Sequence, residues 1–107
     1  MSRFIEVDEV NFSAEVLQSD LPVLVEFGAD WCVPCKRLEP LLEKFHDERP
    51  GRVRLAHINV DRAAGITSQY QVQSLPTVIL FIKGQPLQTS YGMQSSDHLT
   101  EHFGGLI

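Results

Sequence analysis

The sequence lacks several features that would point to particular functions. Its two cysteines are too few for the disulfide framework of a small secreted fold. It has no run of lysine or arginine, and a net charge of −5 argues against nucleic acid as a partner. No apolar run approaches the length of a membrane span, and the N-terminus lacks the apolar segment of a secretory signal. We therefore expect a cytoplasmic protein that does not bind membranes.

The composition is that of an ordinary globular protein. Apolar residues make up 43% of the 107 residues and charged residues 21%, a balance that allows a buried core and argues against disorder. A chain of this length supports one core but not two. We therefore expect a single domain over residues 1–107.

Both cysteines lie in one short segment, Cys32-Val33-Pro34-Cys35, which follows an apolar run at 23–27 and begins a helical pattern. At the first turn of a helix, unpaired backbone N–H groups and the positive end of the helix dipole favour a thiolate. Cys32 is therefore the predicted nucleophile. Cys35, one turn further on, can close and open a disulfide with Cys32, so the pair predicts a redox dithiol.

The hydrophobic pattern alternates strands and helices in the order βαβαβαββα. Nearly continuous apolar runs at 23–27 and 77–82 predict strands that are covered on both faces. Residues 83–86 predict the turn of an antiparallel hairpin near the end of the chain. This order predicts an α/β protein with parallel strand pairs and helices on both faces of the sheet.

Two of the predicted helices have distinctive residues. Asp8 is a suitable N-cap for the first helix. The helix that follows the cysteines contains Pro40, which should kink it, and its pattern places Glu39 with other charged residues on the outer face.

Several motifs occur together in a characteristic order: Phe27-x-Ala29-x-Trp31-Cys32-x-Pro34-Cys35-Lys36, Pro40, Asn59-Val60-Asp61, Leu75-Pro76-Thr77, Phe81-x-x-Gly84 and Gly92. In these motifs the chain resembles the thioredoxin family over residues 4–103. The resemblance implies a thioredoxin fold, with a central five-stranded mixed β-sheet flanked by four helices. It also implies protein-disulfide oxidoreductase activity through Cys32 and Cys35, with Cys35 as the resolving thiol.

Two ionisable residues are candidates for assisting Cys35. Glu26 lies within the apolar run, where it is either a solvent-facing carboxylate or a buried base that deprotonates Cys35. The resemblance favours the buried interpretation, because Glu26 corresponds to a buried aspartate of the family. His57 replaces a lysine found in many members, and histidine side chains titrate near neutrality, so His57 is either a modulator of the acid's pKa or a packed histidine.

The resemblance also implies a surface that binds target proteins. The proline after Leu75 has a cis peptide bond in the family, and the backbone of Leu75 can then pair with an extended segment of the target. Trp31 is either part of this surface or part of the core. The implied substrate-binding residues are Trp31, Val33, Pro34, Leu75, Pro76 and Gly92.

Two residues near the dithiol depart from the family pattern. Val33 replaces the usual glycine between the cysteines, which should shift the reduction potential in a direction that the sequence does not fix. Gly28 replaces a usual tryptophan, which we expect to remove an aromatic ring from the rim of the site.

His98 and His102 have the spacing of metal ligands on a helix, but no third ligand is evident, so we expect no metal.

Three functions remain open. The first is a general protein-disulfide reductase that needs no bound cofactor and is recharged by a thioredoxin reductase, with NADPH acting only through that partner. The second is a thiol oxidase or isomerase with the same fold, and the third is a non-catalytic binding subunit. Nothing in the sequence requires more than a monomer.

Overall fold

The computed structural model describes residues 3–107, which form one five-stranded sheet. Its strands are β1 (Phe4–Val7), β2 (Val23–Gly28), β3 (Arg54–Asn59), β4 (Thr77–Ile82) and β5 (Gln85–Tyr91), in the spatial order β1-β3-β2-β4-β5. The strand β3 is parallel to β1 and β2, whereas β4 is antiparallel to β2 and β5. The predicted five-stranded mixed sheet is therefore confirmed.

Helical segments connect the strands: a π-helical segment (Ser13–Leu17), α1 (Val33–Asp47), α2 (Ala64–Gln69) and α3 (Ser96–Phe103), which a 3₁₀ turn (Gly104–Leu106) follows. The first helix is shorter than the pattern predicted and is not capped by Asp8. Instead, the Asp8 carboxylate accepts hydrogen bonds from the backbone N–H groups of Val10 and Asn11. Asp8 therefore closes the turn that precedes the helical segment. Within the described residues, no helix is long and apolar enough to cross a membrane.

The two faces of the sheet have separate apolar cores. Successive side chains of a strand point to opposite faces, so Val25 and Phe27 of β2 pack under the π-helical segment and α2, whereas Leu24 packs under α1 and α3. Full burial of such a side chain contributes about 1.5–3 kcal/mol. Glu26, two residues after Leu24, therefore lies on the face that α1 covers.

The hairpin turn between β4 and β5 is tighter than predicted. It consists of Lys83 and Gly84 alone, and both have positive φ, 51° and 79°. Two positive φ angles are typical of a type I′ turn, whose twist matches that of the adjoining strands. A Cβ atom at Gly84 would also lie 2.9 Å from the backbone oxygen of Leu17. Both the positive φ angle and this close contact therefore favour glycine there.

The helix α1 places the cysteines at one end of the sheet. Its N-cap is Cys32 and Pro34 lies in its first turn, where a proline leaves no hydrogen bond unmade. Its buried residues recur at helical spacing and hold it against the sheet: Cys35, Leu38, Leu42 and Phe45. Pro40 lies within the helix, which continues to Asp47. Because β2 ends at Gly28, the start of α1 lies just beyond the carboxyl end of that strand.

Candidate active site

The two cysteines form a disulfide at the start of α1. Their Cα atoms are 5.3 Å apart, and the backbone N–H of Cys35 donates a hydrogen bond to the Cys32 sulfur over 3.2 Å. This N–H group belongs to the first helical turn, where donors have no partner within the helix. Cys32 is 4% exposed and Cys35 is fully buried, so Cys32 is only slightly the more accessible of the two in this disulfide form.

The disulfide packs against a small apolar cluster. Ala29 is buried beside it, and Val60 and Leu75 are half-buried against it. The peptide bond between Leu75 and Pro76 is cis. Gly92 donates its N–H to the backbone oxygen of Pro76 over 2.8 Å. The fold thus brings residues from two later segments of the chain to the region of the dithiol.

Trp31 lies on the surface beside the dithiol and does not belong to the core. Its side chain is 67% exposed, and its indole N–H donates a hydrogen bond to Asp61 over 2.8 Å. Asn59 accepts a hydrogen bond from the backbone N–H of Asp61 and so helps to fix that carboxylate. Val33 and Pro34 are exposed next to Trp31 in sequence. The rim therefore presents anchored, exposed apolar side chains, which are typical of a binding surface.

A groove of about 1080 Å³ runs along the edge of α2. It shares Val60 with the apolar cluster around the disulfide, and Tyr91 of β5 also lines it. The groove therefore extends the surface around the dithiol towards the end of the hairpin.

Glu26 is fully buried on β2, so the solvent-facing interpretation of this residue is wrong. Burial raises its pKa, and the negative charge of Glu39 and a hydrogen bond to Glu39 raise it further, to about 9, while Lys36 opposes the shift. Without a proton, Glu26 has no hydrogen-bond donor for either oxygen. At neutral pH it therefore carries a proton, which it can share with Glu39.

Two further ionisable groups face Glu26. Glu39 is half-buried and points towards the sheet, so the prediction that it lies on the outer face of the helix is wrong. The side chain of His57 is buried, and its Nε2 atom lies 4.0 Å from Glu39. One ligand-type atom of each of these three residues lies within 4.8 Å of the others, and neither His57 Nε2 nor Glu39 Oε2 has a hydrogen-bond partner. We call Glu26, Glu39 and His57 the acid cluster.

Glu6 holds His57 from the other side. The Nδ1 atom of His57 lies 3.0 Å from both carboxylate oxygens of Glu6, whose side chain is 62% exposed. Glu6, His57 and Glu26 are direct neighbours across β1, β3 and β2. They form an ionisable row that extends from solvent to the buried centre of the sheet.

Comparison with known proteins identifies the family. Residues 3–104 match the family model described as Thioredoxin. The chain is 41% identical over 95 residues to a thioredoxin of Rickettsia felis. The aligned region covers 89% of this chain and 90% of that protein. It is 40% identical over 94 residues to a thioredoxin of Acidithiobacillus ferridurans, with coverage of 88% and 87%.

This chain belongs to the thioredoxin family. With its Cys32–Cys35 disulfide, it is a protein-disulfide reductase. A further relative is the bifunctional thioredoxin reductase/thioredoxin of Mycobacterium leprae, which is 38% identical over 103 residues, or 96% of this chain and 22% of that protein.

Gly28 does not lie on the rim of this thioredoxin-family site, contrary to our expectation. It is the buried last residue of β2. A Cβ atom at this position would lie 3.2 Å from His57 Nε2 and 3.3 Å from the Cys35 sulfur. Because the glycine has no side chain, the His57 imidazole and the Cys35 sulfur can both border the space that a Cβ atom at residue 28 would fill.

Glu6 and Glu39 are the site residues that sequence reasoning missed. Glu39 follows Cys35 by four residues, a spacing that places both side chains on one helical face and could have signalled its position. Glu6 gives no such local signal, because its contact with His57 depends on the register between β1 and β3.

Among residues 3–107, the acid cluster is the only place where three side chains of the kinds that bind metals lie close enough together to hold one ion. A carboxylic acid that keeps its proton must ionise before it can bind a metal.

His98 and His102 stack with ring centroids 5.3 Å apart, and His102 Nε2 lies 2.7 Å from the backbone oxygen of Thr89. That nitrogen is therefore used as a hydrogen-bond donor within the fold.

Proposed function

We propose that the protein reduces disulfides of target proteins with Cys32 as the nucleophile and Cys35 as the resolving thiol. The observation that carries this proposal is the position of Cys32 at the N-cap of α1, with the N–H of Cys35 directed at its sulfur. In the reduced protein the same donor and the helix N-terminus stabilise a Cys32 thiolate. Cys35 has no exposed surface, so a target meets Cys32 first.

The reaction proceeds in two exchanges. The Cys32 thiolate attacks one sulfur of the target disulfide, forms a mixed disulfide and expels the other target sulfur as a thiolate. Cys35 then loses its proton and attacks the Cys32 sulfur. The bond between Cys32 and the target breaks, and its electron pair leaves with the second target sulfur. The two target thiolates take protons from solvent, so the target gains the two electrons that the dithiol loses.

Glu26 is the proposed acceptor of the Cys35 proton. Glu26 lies within 4.8 Å of His57, and His57 Nε2 borders the same spot as the Cys35 sulfur at Gly28. The acceptor must be ionised when it acts, whereas burial and Glu39 keep a proton on Glu26 at neutral pH. We propose that His57, which faces Glu26, modulates the ionisation of this acid.

The proposed target-binding surface surrounds the dithiol. Leu75 packs against the disulfide, so a target segment that pairs with its backbone would lie over the sulfurs. Recognition through the main chain tolerates many target sequences, which suits a general reductase. The remaining residues of this surface are Trp31, Val33, Pro34, Pro76 and Gly92.

A thioredoxin reductase is the proposed electron donor, with NADPH acting only through that enzyme and no cofactor bound to this chain. The Mycobacterium leprae relative, whose name joins both proteins, supports this pairing. We propose the cytoplasm as the compartment, because a dithiol that must return to its reduced form needs reducing surroundings. We also propose that residues 1–107 act as one monomeric domain without nucleic-acid or membrane partners.

Turnover of a protein disulfide with dithiothreitol tests the proposal. The wild type should accelerate reduction and Cys32→Ser should be inert, since serine cannot form the mixed disulfide. A Cys32→Ser protein that still worked would indicate a binding subunit. A measured reduction potential near that of strongly oxidising dithiol proteins would indicate an oxidase instead.

A further inference from the structure

The proton on Glu26 needs a route to solvent. This acid is fully buried and holds a proton at neutral pH, because burial and Glu39 raise its pKa to about 9. To accept a proton from Cys35 it must first release its own, and it must do so in every cycle. A buried carboxyl group can do this only through neighbouring groups that accept the proton and pass it outward.

The Nε2 atom of His57 faces the buried end of such a route. It is buried without a hydrogen-bond partner, and it borders the same space at Gly28 as the Cys35 sulfur. A ring nitrogen of His57 lies within 4.8 Å of a Glu26 oxygen. An unpartnered nitrogen of a neutral imidazole offers a lone pair to an acid that has a proton to give.

The Nδ1 atom of His57 faces the outer end. The Glu6 carboxylate can only accept a hydrogen bond, so in the neutral form of the ring the proton lies on Nδ1 and the lone pair on Nε2. The charged and titratable groups around the ring are Glu6 from β1, Glu26 from β2, Asp30 from the loop between β2 and α1, Lys36 and Glu39 from α1, and the Cys35 sulfur. Most of them line a pocket of about 260 Å³, which connects the His57 ring to solvent.

We propose that His57 shuttles protons between Glu26 and solvent, and that Glu6 positions His57 and accepts the proton from it. The inference rests on the proposed role of Glu26. Glu6 lies outside the motifs in which the chain resembles the family, and its place in the site follows from its contact with this histidine.

The transfers balance over the two halves of the cycle. The Glu26 O–H bond breaks and its proton passes to His57 Nε2, after which the imidazolium releases its Nδ1 proton to Glu6 and Glu6 releases it to water. Glu26, now ionised, takes the proton of the Cys35 thiol. When a reductant opens the disulfide again, Cys35 must regain a proton. The same path then runs inward, which restores the starting tautomer of His57.

Stopped-flow mixing of the reduced protein with an aromatic disulfide tests the inference, because each coloured thiol that is released marks one exchange. The fast phase reports attack by Cys32 and the slow phase reports resolution by Cys35. In His57→Ala the rate of the slow phase should fall at least about tenfold, while the rate of the fast phase stays unchanged. Added imidazole should enter the pocket and restore the rate of the slow phase.

Glu6→Gln, at an exposed side chain, should lower the rate of the same phase by about tenfold and alter its pH profile.

Matched controls use residues on α3. His98→Ala and Glu101→Gln should leave both phases unchanged and unresponsive to imidazole. A normal slow phase in His57→Ala, or a slow one that imidazole does not restore, overturns the shuttle. A normal slow phase and pH profile in Glu6→Gln overturns its positioning role. Failure of the proposed function is distinct, because the wild type itself would then lack one of the two phases.

Discussion

The dithiol and the acid cluster lie at the same end of the molecule but are built in opposite ways. One helical turn supplies the dithiol: Cys32 caps α1, and the Cys35 N–H contacts the Cys32 sulfur three residues away. The acid cluster and its outer partner Glu6 come from three strands and a helix. Chemistry that needs only adjacent residues can therefore be encoded locally, whereas proton handling here depends on the assembled sheet.

The two regions also differ in energy. A disulfide beside apolar neighbours is compatible with the core, but a buried carboxyl without a donor costs free energy. Leu24 and Glu26 illustrate this on one strand, since both are fully buried under α1 and only the leucine gains from burial. The cluster is therefore expected to be retained for function at a cost in stability.

The largest expected effect breaks the dithiol. Cys35→Ser should lower release of the target from the mixed disulfide by at least about 10³-fold, because no thiol remains to resolve it. Attack by Cys32 should continue, so a covalent complex should accumulate. Mass spectrometry under non-reducing conditions detects this complex. Normal turnover without it would remove the resolving role from Cys35.

The next effect concerns the acid cluster. Glu26→Gln should slow resolution by about 10²-fold while leaving attack by Cys32 unchanged, because glutamine keeps the shape but cannot take a proton. Stopped-flow measurement of both phases checks this outcome, with Glu43→Gln on α1 as the matched control. Equal slowing of both phases would contradict a role confined to Cys35.

The same substitution should change the dependence of stability on pH. In the unfolded chain Glu26 ionises near pH 4.5, whereas the folded protein keeps the proton up to about pH 9. Folding therefore takes up a proton between these values, so the contribution of Glu26 is fully present below pH 4.5 and is lost as pH rises towards 9. Between pH 4.5 and 7 the wild type should lose roughly 3 kcal/mol of stability through this proton, and Glu26→Gln should not show that loss. Urea unfolding at several pH values measures it; parallel curves for the two proteins would contradict the assignment.

A substitution at Gly28 perturbs both regions at once. The added methyl group of Gly28→Ala would press on His57 and on the Cys35 sulfur at 3.2 and 3.3 Å, so we expect destabilisation of about 1–3 kcal/mol. The midpoint of urea unfolding measures it. Gly105→Ala is the control, since apart from its chain neighbours no described residue has an atom within 4 Å of the added group. Equal midpoints for the two variants would show that the space at residue 28 is not limiting.

The smallest effect is expected on the rim. Asp61→Asn weakens the hydrogen bond that anchors the Trp31 indole, which is worth about 0.5–1.5 kcal/mol at most and less at an exposed site. Stability should change little, and KM for a protein target should rise about two- to fivefold at constant kcat. Steady-state kinetics on a protein disulfide separates the two constants. A fall in kcat alone would argue against a binding role for this side of the rim.

The sequence by itself determined the dithiol and the family. Cys32 and Cys35 are three residues apart in the sequence and lie on one helical turn, so their contact requires only local structure. The alternation of apolar runs also determined the mixed sheet, because periodicity is a local property of the chain. It overestimated the first helix and the hairpin turn, where the ends of the elements depend on hydrogen bonds such as those that Asp8 accepts.

Only the tertiary structure decided where the ionisable side chains meet. The sequence left Glu26 open between solvent and core and placed Glu39 on the wrong face of its helix, because the charge of a side chain does not reveal what packs over it. Glu6 and His57 are 51 residues apart in the chain and are joined by strand register alone. Burial, register and helix packing are properties of the whole fold, and they convert four separate ionisable residues into one interacting group.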